Sequence, residues 1–134
     1  MNNKKVFVSG CFDILHVGHL KLLHKAKRLG KNIFIGIDSD KRVKKSKGLN
    51  RPVNNQKNRL EMMKSLKIVK SVKIFGSDKD LIKMIKQIKP DFLLLGDDWK
   101  NKKIIGKDFV KRIVFFKRIK KYSTTKIINK IEKN

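Results

Sequence analysis

Five short apolar runs punctuate the chain: KVFVS (Lys5–Ser9), IFIGI (Ile33–Ile37), SVKIF (Ser71–Phe75), DFLLL (Asp91–Leu95) and RIVFF (Arg112–Phe116). Strands this apolar need cover on both faces, and strands that alternate with helices make a parallel sheet. Helices are predicted over Leu15–Leu29, with Leu20, Leu23 and Ala26 on one face and Gly30 as the stop, and over Asn55–Leu66, with Leu60, Met63 and Leu66 apolar. Two more are predicted over Asp78–Ile88, with an Asp N-cap, and over Ser123–Ile131. Asp38–Asn50 reads as a loop or short helix, Ile104–Val110 stays ambiguous, and Arg51-Pro52 and Lys89-Pro90 mark breaks. The expected fold class is α/β, a three-layer sandwich on a mainly parallel five-stranded sheet. The 134 residues suit one domain, 1–134, rather than two.

Composition sets bounds on that fold. Hydrophobic residues make up 40% of the chain, enough for a core despite 35% charged residues. No stretch reaches the roughly 20 apolar residues of a membrane span, and the apolar segment after MNNKK is too short for a signal peptide. One cysteine excludes an internal disulfide and a Cys-rich zinc site. A cytoplasmic location without membrane partners is the expectation. The net charge of +25 invites a nucleic-acid reading. Yet only six of 36 basic residues are arginines, and the lysines are scattered rather than striped. A lysine-biased surface is preferred to a specific nucleic-acid partner, and such a field also suits a polyphosphate.

Ligands of open parallel sheets bind beyond the carboxyl ends of the strands. That rule directs attention to 10–19, 38–40, 75–78, 96–99 and 117–125. The first stretch holds Gly10, Cys11, Phe12, Asp13, then His16, Gly18 and His19. Two histidines three apart at a helix start face the same way. Gly18 between them removes bulk, leaving room for a ligand near the backbone. The helix N-terminus adds partial positive charge suited to phosphate. Zinc is disfavoured, since no third ligand is fixed by the sequence.

GCFDILHVGH resembles the H-x-G-H signature of the cytidylyltransferase-like nucleotidyltransferases, a Rossmann-type superfamily. These enzymes move a nucleoside monophosphate from a triphosphate onto a phosphorylated acceptor. The resemblance implies that His16 and His19 contact the triphosphate and stabilise the transition state, with Gly10, Cys11, Phe12, Asp13 and Gly18 near the nucleotide. Asp13 has two open readings, metal or water organisation and capping of the first turn. YSTTKII is similar to the family's closing segment, which assigns Ser123, Thr124 and Thr125 to the β- and γ-phosphates. KGLNRPVN and the later NRLEMMKSL fall where relatives place basic residues. Lys47 is then a movable point charge and Arg59 a bidentate phosphate clamp, preferred to Arg51 in that role. Gly96-Asp97-Asp98-Trp99 would border the nucleotide and acceptor pockets, and Asp38 would meet ribose.

The implied reaction is in-line attack of an acceptor phosphate on the α-phosphorus, with Mg²⁺ held through the phosphates and no general base. A homodimer is a common state among relatives. KGxxRPVN, Ile104-Ile105-Gly106 and YSTTKII resemble heptose-1-phosphate adenylyltransferases, so ATP and a sugar phosphate are expected. GDDW instead resembles glycerol-3-phosphate cytidylyltransferases, which keeps CTP and a polyol phosphate as the alternative. A basic α/β nucleic-acid-binding domain without catalysis is the reading from another class. It requires salt-sensitive polymer binding that survives His16→Ala, whereas the enzyme reading requires a loss of roughly 10²–10³ in rate.

Overall fold

A computed structural model describes residues 2–118 and 121–133, so part of the 117–125 stretch, residues 119 and 120, lies outside the described residues. The first strand, β1 (Lys5–Gly10), lies at the centre of the sheet. It pairs in parallel with β2 (Asn32–Asp38) on one side, Val8 opposite Ile35, and with β4 (Phe92–Gly96) on the other, Val8 opposite Leu94. The edges are β3 (Ser71–Phe75) beside β2 and β5 (Arg112–Phe116) beside β4. The order is β3-β2-β1-β4-β5, and every described pair is parallel, where the sequence supported only "mainly".

Side chains alternate across the sheet and split the core in two. Val6, Val8, Ile33, Ile35, Ile37 and Leu94 pack on one face. There they meet Leu23 and Ala26 of α1 (Val17–Leu29) and Met63 of α3 (Gln56–Lys64). Phe7, Phe75 and Leu93 pack on the other face against Leu81, Met84 and Ile85 of α4 (Asp78–Ile88). Gly36 makes that second layer possible, because a Cβ there would lie 2.8 Å from Phe7 Cζ. Leu20, expected on the buried stripe of α1, is 38% exposed. The stripe is centred on Leu23 and Ala26, and Leu20 falls at its edge.

Local chemistry sets the helix boundaries. The segment left as loop or short helix forms α2 (Asp40–Lys47), because Ser39 Oγ accepts from Arg42 N. Asn55 lies just outside α3 as its cap, accepting from Asn58 N at 2.9 Å. The cap of α4 is Ser77 rather than Asp78, with Ser77 Oγ accepting from Asp80 N at 3.1 Å. Ile104–Val110 holds a short 3-10 turn, Lys107–Phe109, with Ile104 and Ile105 packed on the second core layer. The last helix is α5 (Thr124–Lys133).

The strand order locates the site. After β1 the chain builds outward through β2 and β3, then returns to the other side of β1 for β4 and β5. Consecutive connections therefore leave β1 and β4 in opposite directions, opening a crevice at their carboxyl ends. Gly10-Cys11 and Gly96-Asp97 stand on its two sides.

Candidate active site

His16 and His19 form a reciprocal cap on α1. His16 is the N-cap, and its Nδ1 accepts from Gly18 N at 3.0 Å. His19 Nδ1 accepts in turn from His16 N at 3.1 Å. A nitrogen that accepts carries no proton, so each neutral ring holds its proton on Nε2. Both rings are thereby fixed as Nε2–H donors, stacked with centroids 3.8 Å apart. Burial, followed by the His16 ring and then the Lys47 and Arg118 charges, pushes the His19 pKa down to about 4. Burial and then Arg118 also lower that of His16. Two neutral donors at a helix N-terminus can hold phosphate oxygens without exchanging a proton.

Gly18 leaves room for the protein's own side chains. A Cβ there would lie 2.8 Å from His16 Cε1 and 3.1 Å from Tyr122 Cβ. The missing side chain makes space for the His16 ring and for the approach of the segment leading into α5. Phe12, 5% exposed, packs beside His19 with ring centroids 5.4 Å apart and lies under Gly10. It supports the histidine from the core side.

Asp13 does not cap the first turn, since the N-cap of α1 is His16, and its carboxylate braces another loop instead. Its Oδ2 accepts from Val53 N at 2.6 Å and its Oδ1 from Asn54 N at 2.9 Å. Its backbone carbonyl accepts from Thr124 Oγ1 at 2.5 Å. One buried residue thus ties the β1–α1 loop, the loop before α3 and the start of α5 together.

The two arginines sit in opposite surroundings. Arg59 is fully buried. Its Nε donates to Asn54 O, its Nη1 to Cys11 O and Asp38 O, and its Nη2 to Asp40 Oδ1, all within 2.8–2.9 Å. Four of its five N–H groups are spent on the protein, so the expected bidentate phosphate clamp is corrected to a strut between three loops. The same strut takes the Cys11 carbonyl. Burial raises the Cys11 thiol, which leaves it a packing residue. Arg51 presents the opposite picture. Its Nη1 reaches Thr125 Oγ1 at 3.4 Å and its Nε stands 3.9 Å from Asp13 Oδ2. Its Nε and Nη2 are buried without a hydrogen-bond partner among the described residues.

The hydroxyl segment divides in a similar way. Ser123 Oγ accepts from Lys126 N at 3.1 Å and caps α5. The Thr124 hydroxyl is committed to Asp13, which corrects its expected use on phosphate. Thr125 is exposed, and the segment leading into α5 meets the start of α1, with Tyr122 Cβ 3.1 Å from where a Gly18 Cβ would be. Lys47 ends α2, exposed, and its charge reaches His19 and Cys11.

Asp97, Asp98 and Trp99 form a 3-10 turn at the end of β4, on the crevice. Asp98 Oδ2 pairs with Arg118 Nη1 at 3.3 Å, and Trp99 is exposed, with Lys102 over its ring. Asp38 is not part of that rim. It sits opposite Phe75 on the β3 side of the sheet with Oδ1 held by Arg42 Nε at 3.0 Å, so one carboxylate oxygen is already engaged by the protein. Arg118, unassigned in the sequence, packs over Gly96 and places its charge on both histidines. Its position just after β5, within a predicted ligand edge, was the available signal. No group of three or more His, Cys, Asp or Glu among the described residues can cage a metal ion. Both Asp13 oxygens accept from backbone N–H groups, which fits Mg²⁺ brought by phosphates better than a cage built on Asp13.

A parallel sheet with its anion donors gathered at the switch point is the architecture of a nucleotide-handling α/β enzyme. Within that class, the cytidylyltransferase-like family model matches residues 7–130, and the chain belongs to this family. It is 46% identical over 127 residues to the bifunctional protein HldE of Campylobacter fetus, covering 95% of this chain and 28% of that protein. HldE of Helicobacter pylori is 43% identical over 130 residues, 97% of this chain and 28% of that one. The chain therefore spans a little over a quarter of the curated relatives it matches. A solved lipopolysaccharide core biosynthesis protein from Thermoplasma volcanium is 28% identical with a TM-score of 0.68, covering 87% of this chain and 98% of that one. Pantoate-beta-alanine ligase from Francisella tularensis, at 18% identity and TM-score 0.53, covers 98% of this chain and 71% of that one and shares the fold.

Proposed function

We propose that the protein transfers a nucleoside monophosphate from a nucleoside triphosphate to a phosphorylated sugar, with ATP and heptose 1-phosphate as the substrates. The observation that carries this reading is the reciprocal cap of His16 and His19, which fixes two neutral Nε2–H donors beside the N-terminus of α5. An oxygen of the acceptor phosphate attacks the α-phosphorus and forms the new P–O bond. The bond from the α-phosphorus to its bridging oxygen breaks, and pyrophosphate leaves with the electron pair. An ionised phosphate needs no base, so the protein's work is alignment and neutralisation of charge. The imidazole donors hold oxygens whose charge grows in the transition state, while Lys47 supplies a mobile cation. Mg²⁺ bound to the phosphates would add further charge neutralisation.

The heptose acceptor is supported by KGLNRPVN and YSTTKII, by the HldE relatives and by the lipopolysaccharide-related neighbour. A homodimer and a cytoplasmic setting belong to the same proposal. No described helix is long and apolar enough to cross a membrane. The test is pyrophosphate release from each of four triphosphates with Mg²⁺ and a panel of sugar and polyol phosphates. Turnover with ATP and heptose 1-phosphate is expected. Turnover only with CTP and glycerol 3-phosphate would overturn the substrate and keep the chemistry. No release from any pair would overturn the chemistry itself.

A further inference from the structure

We propose that Arg51 is the arginine that grips the terminal phosphates of the bound nucleotide, held underbonded between Asp13 and Thr125 until an anion completes its contacts. The proposal rests on the nucleotidyltransferase reading and deepens it by naming the residue and the ligand group it recognises. Its basis is a contrast between two neighbouring arginines. Arg59 is buried and gives four of its N–H groups to protein oxygens. The Arg51 side chain is only 13% exposed, yet its Nε and Nη2 donate to nothing among the described residues. Its remaining contacts are long, 3.4 Å to Thr125 Oγ1 and 3.9 Å to Asp13 Oδ2.

A desolvated cation without partners is costly, and a fold retains one where another group completes it. Asp13 cannot be that group by swinging closer, because Val53 N and Asn54 N already hold its two oxygens. The guanidinium's exposed contact is the one from Nη1 to Thr125, the exposed second residue of α5. An anion at the start of α5 lies within reach of Arg51, which touches Thr125, and near the start of α1, since Tyr122 is 3.1 Å from where a Gly18 Cβ would be. The guanidinium fork matches two oxygens of a phosphate, and a chain of phosphates is long enough to extend from the histidines to α5. Anion binding would replace the long Thr125 contact with charge-assisted bonds to Arg51.

The test titrates inorganic tripolyphosphate into the full chain by calorimetry, comparing wild type, Arg51→Ala, Arg51→Lys and Lys111→Ala. Lys111 pairs with Asp91 beside the amino ends of the strands and controls for net charge. Arg51→Ala is expected to weaken binding by roughly 10–100-fold. Arg51→Lys, which keeps the charge and loses the fork, should fall between the two. Lys111→Ala should stay within about twofold, as for an exposed charge. Wild-type affinity in Arg51→Ala, or a loss no greater than that of Lys111→Ala, overturns the proposal. Should Arg51→Ala lack a cooperative melt, Arg51→Lys decides: weaker binding than Lys111→Ala supports the assignment, and equal binding refutes it. In turnover, a phosphate grip raises nucleotide KM with kcat little changed, whereas a strut lowers thermal stability and leaves KM alone. A wild type that binds tripolyphosphate through Arg51 but releases no pyrophosphate would sink the enzymatic reading and keep the anion site.

Discussion

Gly18→Ala separates helix stability from the working geometry of His16. Alanine is the better helix former by about 1 kcal/mol, so propensity alone favours the substitution in α1. The local packing opposes it. The new Cβ would stand 2.8 Å from His16 Cε1 and 2.9 Å from His16 Nδ1, with Tyr122 Cβ 3.1 Å away. Reaching an ordinary contact requires the imidazole to move by roughly 0.7 Å. That displacement stretches the 3.0 Å bond from Gly18 N to His16 Nδ1 and disturbs the stack on His19. A misplacement near 1 Å costs about 10²-fold, and loss of one charge-stabilising donor about 10²–10³-fold. The expected result is a drop in kcat on the order of 10²-fold with the melting temperature within a few degrees of wild type. Steady-state pyrophosphate release and a thermal melt measure the two quantities on one preparation. A variant whose kcat stays within about threefold would refute the reasoning, since the His16 position would then tolerate the methyl group.

Arg59→Met should cost about 3–5 kcal/mol in denaturant unfolding, because it strands Asp40 and three backbone carbonyls at once. Unchanged stability with a raised nucleotide KM would restore Arg59 to phosphate binding. Asp13→Asn sets an NH₂ group against a backbone N–H, for a loss of about 1–3 kcal/mol, while the Mg²⁺ concentration for half-maximal rate stays the same. A tenfold shift in that concentration would count against the architectural role. The pH dependence follows from His19, whose folded pKa is about 4 against 6.5 for the free side chain. Between those values the unfolded chain binds a proton that the folded chain does not, so stability falls as pH drops from about 6.5 toward 4. NMR titration of the ring should show a midpoint well below 6.5; a midpoint at or above it would contradict the buried neutral donor.

Much of the fold was legible because its signals are local. The runs at Ser71–Phe75 and Arg112–Phe116 form strands with the predicted boundaries, and Asp78–Ile88 is a helix as read. Caps were harder to place, because Ser77 and Asp78 are both good caps by residue type and only the backbone turn selects between them. In the site, the histidine pair was legible from its spacing at a helix start. The preference for Arg59 over Arg51 as the phosphate clamp is not supported, since the protein oxygens that occupy the Arg59 Nη groups come from distant loops and leave no local signal. Thr124 was misread for the same reason, as its partner, the Asp13 carbonyl, is 111 residues away.

The sequence by itself determined the parallel α/β architecture, through apolar runs that must be covered on both faces. It also determined that His16 and His19 share one side of a helix start, because a three-residue spacing places both rings there, while their reciprocal capping emerged only in the structure. Tertiary structure alone decided which arginine is spent on the scaffold and which keeps two nitrogens without a partner among the described residues. That outcome depends on which carbonyls and carboxylates surround each guanidinium, and those oxygens come from loops far apart in the chain. Burial then enforces the choice, because a desolvated cation settles on the partners that the fold provides.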